Sequence, residues 1–444
     1  MLSIGDCPPS TMTVRPIRRI RVGMVLDQPF PPDARVEREA VALTEAGYEV
    51  HLLCMLRPED TLRDEFYRGF YIHRVDPNAV TWELPFLRLQ TRLPYKGLIK
   101  SYFYNFKNID TTWYTLIDRF VQSYQLHVLH VHDLRLVTTG LAVTEKYGVR
   151  LVADLHENYP ALMQMMKGRD NPKRGLRQRH RWEAVEANCA ERAHQVIVVT
   201  QEAKERLVAK GVPAGKILVV ENTVDVEKFI AAPIDPEIVR QFKPYFLLCY
   251  VGHLNDMHRG IQTVIDALAI IRDELPEVHF VGAGAIREPY RQKLEAMIAN
   301  AGLHGRVHFT GWLDETEFSS YIEASDICLC PHLANDHTNA TFPNKVYLYH
   351  LFKKPVIVSN AVPLQRYAED TQGGLVFESG NAQMLADRLR ELYYQPNLRK
   401  ELAFNGHQAV MERYNWKLTA QNLVSAYNAL CGRRWAPVVA PQPV

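Results

Sequence analysis

Between two apolar stretches the chain reads Gly252-His253-Leu254-Asn255-Asp256-Met257-His258-Arg259-Gly260. The strand-like run Phe246–Val251 leads into it, and a helical pattern starts at Ile261. Glycine lets backbone come close to a ligand. A helix start offers free N–H groups and the positive end of a dipole. Arg259 adds a planar fork whose charge does not depend on pH, and His253 can donate a second hydrogen bond. Such a set suits a diphosphate. An ordinary strand-to-helix turn with a solvated arginine would use the same residues. A second strand ends in Val281-Gly282-Ala283-Gly284. It completes no G-x-G-x-x-G fingerprint, and no G-x-x-x-x-G-K-[ST] loop occurs in the chain.

A third polar stretch, His337 to Lys345, precedes an apolar strand that opens at Lys354-Pro355. His127, His130, His132 and Asp133 resemble a metal set on paper. On a strand, however, His127 and His130 face opposite ways, which favours structural roles. Cys328 and Cys330 share a strand face, but no second pair completes a tetrahedral site. No Asp-x-Asp motif appears, and no bound metal is expected.

The elements that must position these residues come in two series. Strands are expected at Arg21–Leu26, Val50–Cys54, Tyr71–Val75, His127–Val131, Arg150–Ala153 and Gln195–Val199. The pattern restarts with Phe246–Val251, Val278–Val281, Arg306–Thr310, Asp326–Cys330, Pro355–Ser359 and Gly374–Phe377. Helical stretches lie between them, such as Arg35–Ala46, which Gly47 ends. Strands alternating with helices imply parallel sheets covered on both faces. The expected class is therefore α/β, with two Rossmann-like domains facing each other across a cleft. Residues 19–222 form the first and 223–412 the second, and Asn222–Tyr245, with three prolines, reads as the connection. Residues 413–432 give an amphipathic helix expected to pack back across the domains. Residues 1–18 and the Pro-rich 433–444 are expected to be flexible or disordered.

A chain of 444 residues can hold two full cores. Its net charge of +2 gives no global pull toward nucleic acid or membrane, so such binding must be local. Seven scattered cysteines suggest reduced thiols rather than a disulfide framework. No secretory signal or membrane-spanning run is visible. The expected location is cytoplasmic, with a possible peripheral place on the cytosolic membrane face.

In order, Gly47-Tyr48-Glu49-Val50, His130-Val131-His132-Asp133, Glu221 to Asp225, Gly252 to Gly260, Val281 to Gly284, Phe309-Thr310-Gly311-Trp312-Leu313 and Pro343-Asn344-Lys345 with Lys354-Pro355-Val356 resemble the family 4 glycosyltransferases. The resemblance runs along nearly the whole chain. It implies a GT-B fold and a metal-independent, hexosyl-type transferase acting with retention at the anomeric carbon. No cofactor is implied beyond a nucleotide-diphosphate sugar as co-substrate. The family usually sets an arginine and a lysine of the first loop on the donor diphosphate; here His253 and Arg259 stand there, in a loop one residue longer. His156 matches the family's first-domain histidine facing the donor sugar; a surface histidine at a strand end is the plainer alternative. Trp312 and Leu313 would lie against the base through backbone groups.

The resemblance also exposes a departure. The family motif has two glutamates separated by seven residues, and this frame places Ala340 and Leu348 there. Losing a charge-assisted hydrogen bond costs about 1.5–3 kcal/mol unless something replaces it. His337, Thr338, Asn339, Thr341 and Asn344 are the nearby replacements. The expected catalytic set is His156, Glu157, Arg259 and Lys345. The expected donor contacts are Gly252, His253, Gly260, Gly282, Gly284, Trp312, Leu313, His337, Thr338, Phe342 and Asn344. Asp33 and Arg35, in the stiff loop Gln28–Arg35, would meet an acceptor. The acceptor would be a polysaccharide, a glycolipid or another saccharide. A catalytically inactive binding subunit and a nucleotide-sugar epimerase are the alternatives. Two basic segments, Arg88–Lys107 and Lys167–Arg181, suit an anionic membrane surface, a solvated face or single-stranded nucleic acid; no specific nucleic acid is expected.

Overall fold

The structure, a computed structural model, describes residues 19–79, 108–255 and 257–432. The segment Arg88–Lys107, the first 18 residues and the Pro-rich end lie outside the described residues.

The first sheet has eight strands: β1 (Arg21–Pro29), β2 (Glu49–Met55), β3 (Asp64–Tyr67), β4 (Phe70–Val75), β5 (Val128–His132), β6 (Arg150–Leu155), β7 (Gln195–Val198) and β8 (Ile217–Val219). Their order is β3-β4-β2-β1-β5-β6-β7-β8. All pairs are parallel except β3 with β4. The second sheet holds β9 (Phe246–Val251), β10 (Val278–Ala283), β11 (Val307–Phe309), β12 (Ile327–Cys330), β13 (Val356–Ser359) and β14 (Gly374–Phe377). Its order is β11-β10-β9-β12-β13-β14, and every pair is parallel. This is an α/β architecture of two Rossmann-like sheets. The strands read as continuous apolar runs because helices cover both faces.

Two strands escaped the sequence reading. Asp64–Tyr67 is a polar antiparallel edge with an exposed-intermediate alternation, and Ile217–Val219 is only three residues long. The connection Asn222–Tyr245 is also more ordered than its prolines suggest. It carries helices Val226–Ile230 and Pro236–Phe242, capped by the side chains of Asp225 and Asp235.

In each sheet the order reverses beside one strand, between β1 and β5 in the first and between β9 and β12 in the second. Loops leaving the carboxyl ends of strands at such a point diverge and leave a crevice. The segments after β1, β6, β9 and β12 carry Asp33, His156, Arg259 and His337, so chain topology alone gathers them.

The last helix, Trp416–Cys431, begins at an Asn415 cap whose side chain accepts from the Leu418 amide. It lies on the first domain. Leu423 and Tyr427 are buried among Tyr48, Val50 and Leu52, each contributing about 1.5–3 kcal/mol by burial. The Tyr427 hydroxyl sits 2.6 Å from His130 Nδ1, and Tyr48 donates to Asn428 at 2.8 Å. Every cysteine among the described residues is a free thiol.

Candidate functional site

A cleft of about 550 Å³ lies between the two sheets. Of the expected catalytic, donor and acceptor-side residues, twelve line it: Asp33, Arg35, His156, Glu157, Gly252, His253, Arg259, His337, Thr338, Phe342, Asn344 and Lys345.

The second-domain wall is cationic. Arg259 ends a 3-10 turn after β9, with Nη1 at 3.4 Å from His332 Nε2. The Lys345 ammonium lies 3.5 Å above the Tyr250 ring, a cation–π contact. No carboxylate pairs with Arg259 or Lys345 among the described residues. A Cβ on Gly252 would stand 3.1 Å from Lys345 Nζ, so the glycine leaves the lysine room beneath the loop. Lys345 is half-buried and lines the cleft. Burial, and then Arg259, push its ammonium well below the usual lysine range. Burial, Arg259 and Lys345 likewise push His332 well below the usual histidine range. An anion between Arg259 and Lys345 would remove this strain.

The loop from Asn335 to Asn344 ties the domains together. Asn158 donates to the Asp336 carbonyl at 2.7 Å and Arg179 to the Asp336 carboxylate at 2.5 Å. His337 Nε2 stands 3.3 Å from the Glu157 carboxylate. Ala340 is buried against the first domain's core, and its carbonyl accepts from the Thr200 hydroxyl at 3.0 Å. The first of the two departed positions is thus an apolar interdomain contact. Leu348, the second, is buried in the helix Lys345–Leu351 and forms part of the cleft wall. The replacements divide. Thr338 spends its hydroxyl on Leu333 and Asn335, and Thr341 on the His337 carbonyl. Asn339 turns away to the Val362 amide. His337 and Asn344 remain at the cleft. Phe342 packs its ring at 4.6 Å from Tyr347.

The first-domain wall is acidic and corrects one expectation. Arg35 is not an acceptor contact: it is 4% exposed and its guanidinium is spent inward. It holds Asp154 with two nitrogens, at 2.8 and 3.2 Å, and donates to the Val220 carbonyl. Asp33 is partly committed too, since its carboxylate caps the helix Ala34–Glu45 through the amides of Arg35 and Val36. His156 Nε2 lies 2.5 Å from Asp154. Glu157 lines the cleft with 42% of its side chain exposed. Burial, then Asp133, raise it to about 7, against His156 and Arg259. His130 and His132 stack at 4.4 Å behind this wall, whereas His127 lies apart, accepting from the Arg21 amide. With Glu39 and Asp154 they bring donor atoms within 4.8 Å of one another. Arg35 and His156 already sit on both Asp154 oxygens, and Arg35 lies 2.9 Å from Glu39. The Asp154 carboxylate is therefore already committed to side chains of the chain itself.

Five expected donor contacts fall outside the cleft lining. Gly260 is required by a chain crossing, since a Cβ there would meet the Pro331 carbonyl at 1.7 Å. Gly284 presses on the Gly252 carbonyl, and Gly282 on Leu254 and Phe309. These glycines let the β9 and β10 turns touch. Trp312 is 70% exposed, and Leu313 packs half-buried against the second-domain core. Glu315, Phe318, Arg38 and His332 line the cleft instead. Of these, only His332 had a legible signal, its place just past the carboxyl end of β12.

Two family models match the chain: "Glycosyltransferase Family 4" over residues 34–228 and "Glycosyl transferases group 1" over 233–409. A putative glycosyltransferase, EpsD, of Bacillus subtilis is 22% identical over 53% of this chain and 61% of its own length. The chain spans about half the length of the first curated relatives it matches. Sucrose-phosphate synthase from Thermosynechococcus elongatus superposes with a TM-score of 0.74 at 19% identity, covering 93% of this chain and 100% of that one. Anabaena Alr3699/HepE in complex with UDP-glucose gives 0.68 at 16% identity over 93% and 100%. With one family model on each domain and GT-B neighbours along its length, the chain belongs to the family 4 glycosyltransferases.

Proposed function

We propose that this chain transfers a hexosyl group from a nucleotide-diphosphate sugar to a saccharide or lipid-linked acceptor, with retention at the anomeric carbon. The observation that carries the reading is the pair Arg259 and Lys345, two basic side chains on one wall of an interdomain cleft with no acid partner among the described residues. A diphosphate fits that pair in charge and in the space between the loops. The UDP-glucose complex of a structural neighbour supports a nucleotide sugar as the ligand. In the reaction the bond from the anomeric carbon to the diphosphate breaks, and a bond to the acceptor oxygen forms on the same face. The acceptor proton passes to the departing phosphate oxygen. Arg259 and Lys345 stabilise the negative charge that develops there, as fixed charges in a partly dry site do well. Glu157 and His337 stand where acceptor and sugar hydroxyls would be oriented. No metal is invoked, since the side-chain cations take that role.

A second reading, a binding subunit without turnover, draws on Ala340, whose position is filled by packing against the first domain. Thermal shifts with UDP, GDP, ADP and TDP, followed by product analysis with the matching sugar nucleotides, separate the readings. A nucleotide that binds while no acceptor is ever glycosylated favours the binding subunit. Conversion of the sugar without release of nucleotide would point to an epimerase. No shift with any nucleotide would sink all three.

We also propose that the acceptor is met at an anionic membrane surface. Met166 and Leu176 are 55% and 47% exposed, beside the exposed Lys173, Arg174 and Arg177 at the start of the helix Pro172–Arg192. No helix among the described residues is long and apolar enough to cross a membrane. Flotation with anionic vesicles tests this idea, and an absence of salt-sensitive binding removes it.

A further inference from the structure

The charged chain behind the first-domain wall has no part in the chemistry proposed above, yet it ends on a residue that faces the cleft. Asp154 is fully buried near the end of β6. Arg35 fixes both of its oxygens, Nη2 to Oδ1 at 2.8 Å and Nε to Oδ2 at 3.2 Å, while Nη1 is anchored on Val220. The carboxylate therefore cannot turn. Its Oδ2 meets His156 Nε2 at 2.5 Å. The other ring nitrogen, Nδ1, lies 3.6 Å from Asp133 Oδ1. Asp133 has φ 62° and ψ 147°, a conformation almost confined to glycine. Its amide is tied to the Asp154 carbonyl at 2.9 Å, which holds the strained turn in place. A carboxylate hydrogen-bonded at Nε2 and a second one 3.6 Å from Nδ1 both favour the doubly protonated ring.

We propose that Asp154 is a positioning residue which, gripped by Arg35, holds His156 as an imidazolium, so that an anionic ligand in the cleft meets cations on both walls. The inference rests on the reading of the cleft as a nucleotide-sugar site. It adds a cation on the domain opposite Arg259 and Lys345, where Arg38 also lines the cleft. It also gives buried Arg35 a function, though the residue never reaches the ligand.

The groups around His156 favour this state. Asp154 and Glu157 flank it on its own segment. His132 and Asp133 face it from the end of β5, with His132 Nδ1 at 3.4 Å and His130 stacked behind. Arg35 and Glu39 approach from the helix Ala34–Glu45. Burial, and the nearby Arg35 charge, push His156 down, but Asp154 and Asp133 outweigh them and raise it to about 9. Burial and His130 push His132 down to about 3, so it stays neutral.

The test is Asp154→Asn in the full chain, with Arg35→Lys as a second variant that keeps the charge but loses the two-point grip. The ring proton of His156, assigned through His156→Gln, is followed by NMR from pH 6 to 9.5. In the wild type it should stay protonated through pH 8. In Asp154→Asn it should titrate near the ordinary histidine value. Binding of UDP, GDP, ADP and TDP is measured alongside. At pH 8 the variant should lose on the order of tenfold in affinity, and little at pH 6, where the imidazole is charged in both proteins. A wild-type His156 that titrates in the ordinary range overturns the proposal. So does an unchanged titration in both variants, or a stoichiometric metal found in the purified protein by elemental analysis. If the wild type binds no nucleotide, the reading of the cleft fails while the NMR titration still decides the role of Asp154.

Discussion

His337 Nε2, on the second domain, lies 3.3 Å from the carboxylate of Glu157 on the first. This contact spans the cleft, and its acid is poised in the physiological range. Glu157 is raised to about 7, above the ordinary carboxylate value, so its proton stays on at pH 6 and is lost as pH passes 7. Above that point a negative charge faces an anionic ligand. Nucleoside diphosphate affinity should therefore fall between pH 6 and 8, by up to roughly tenfold. Titration calorimetry across this range should show the fall, and Glu157→Gln should flatten it. An equal slope in the variant would assign the effect to other groups.

Arg259→Ala should weaken the same ligands by roughly 10- to 150-fold, the equivalent of a charge-assisted hydrogen bond of about 1.5–3 kcal/mol. Unchanged affinity would remove Arg259 from the site.

Lys345 makes a different prediction. Its ammonium is held well below the usual range by burial and by Arg259. A bound diphosphate favours the charged form, so binding measured as pH is raised toward the ordinary lysine value should take up protons from solution. Calorimetry in two buffers of different ionisation enthalpy measures that uptake directly. Lys345→Met should abolish most of it, and an identical heat in both buffers for the wild type would contradict the account.

Gly260→Ala should damage folding rather than chemistry. The added Cβ would stand 1.7 Å from the Pro331 carbonyl, and φ at Gly260 is 72°. Overpacking costs about 1–3 kcal/mol and the left-handed conformation about 1–2 more. Denaturant unfolding should report a loss of that size. A neutral result would mean that the crossing of β9 and β12 loops is looser than the geometry implies.

Tyr427→Phe should cost about 1–3 kcal/mol, because it leaves the buried His130 Nδ1 without its partner. Thermal unfolding of the full chain checks this, and it also tests how firmly the last helix holds the first domain.

Much of the fold was legible in sequence because it rests on local signals. Apolar runs named β9 and β14 to the residue, and Gly47 marked the end of the first helix. The loop after β9 was legible for the same reason and pointed to Arg259, whereas His156, Glu157 and Lys345 were singled out with the help of the family resemblance; all four line the cleft. What sequence did not determine was which side each residue faces when chain segments far apart meet. Arg35 looked like an acceptor contact because its loop is polar, yet it pairs with Asp154, 119 residues away, and is sealed inside. Gly282 and Gly284 looked like ligand glycines, yet they exist so that two turns can touch. Ala340 looked like a missing acid, and tertiary structure made it a buried contact with Thr200. A residue's type and spacing fix the chemistry it can do. Only the packing of two sheets across a cleft decides whether that chemistry faces a ligand or another part of the chain.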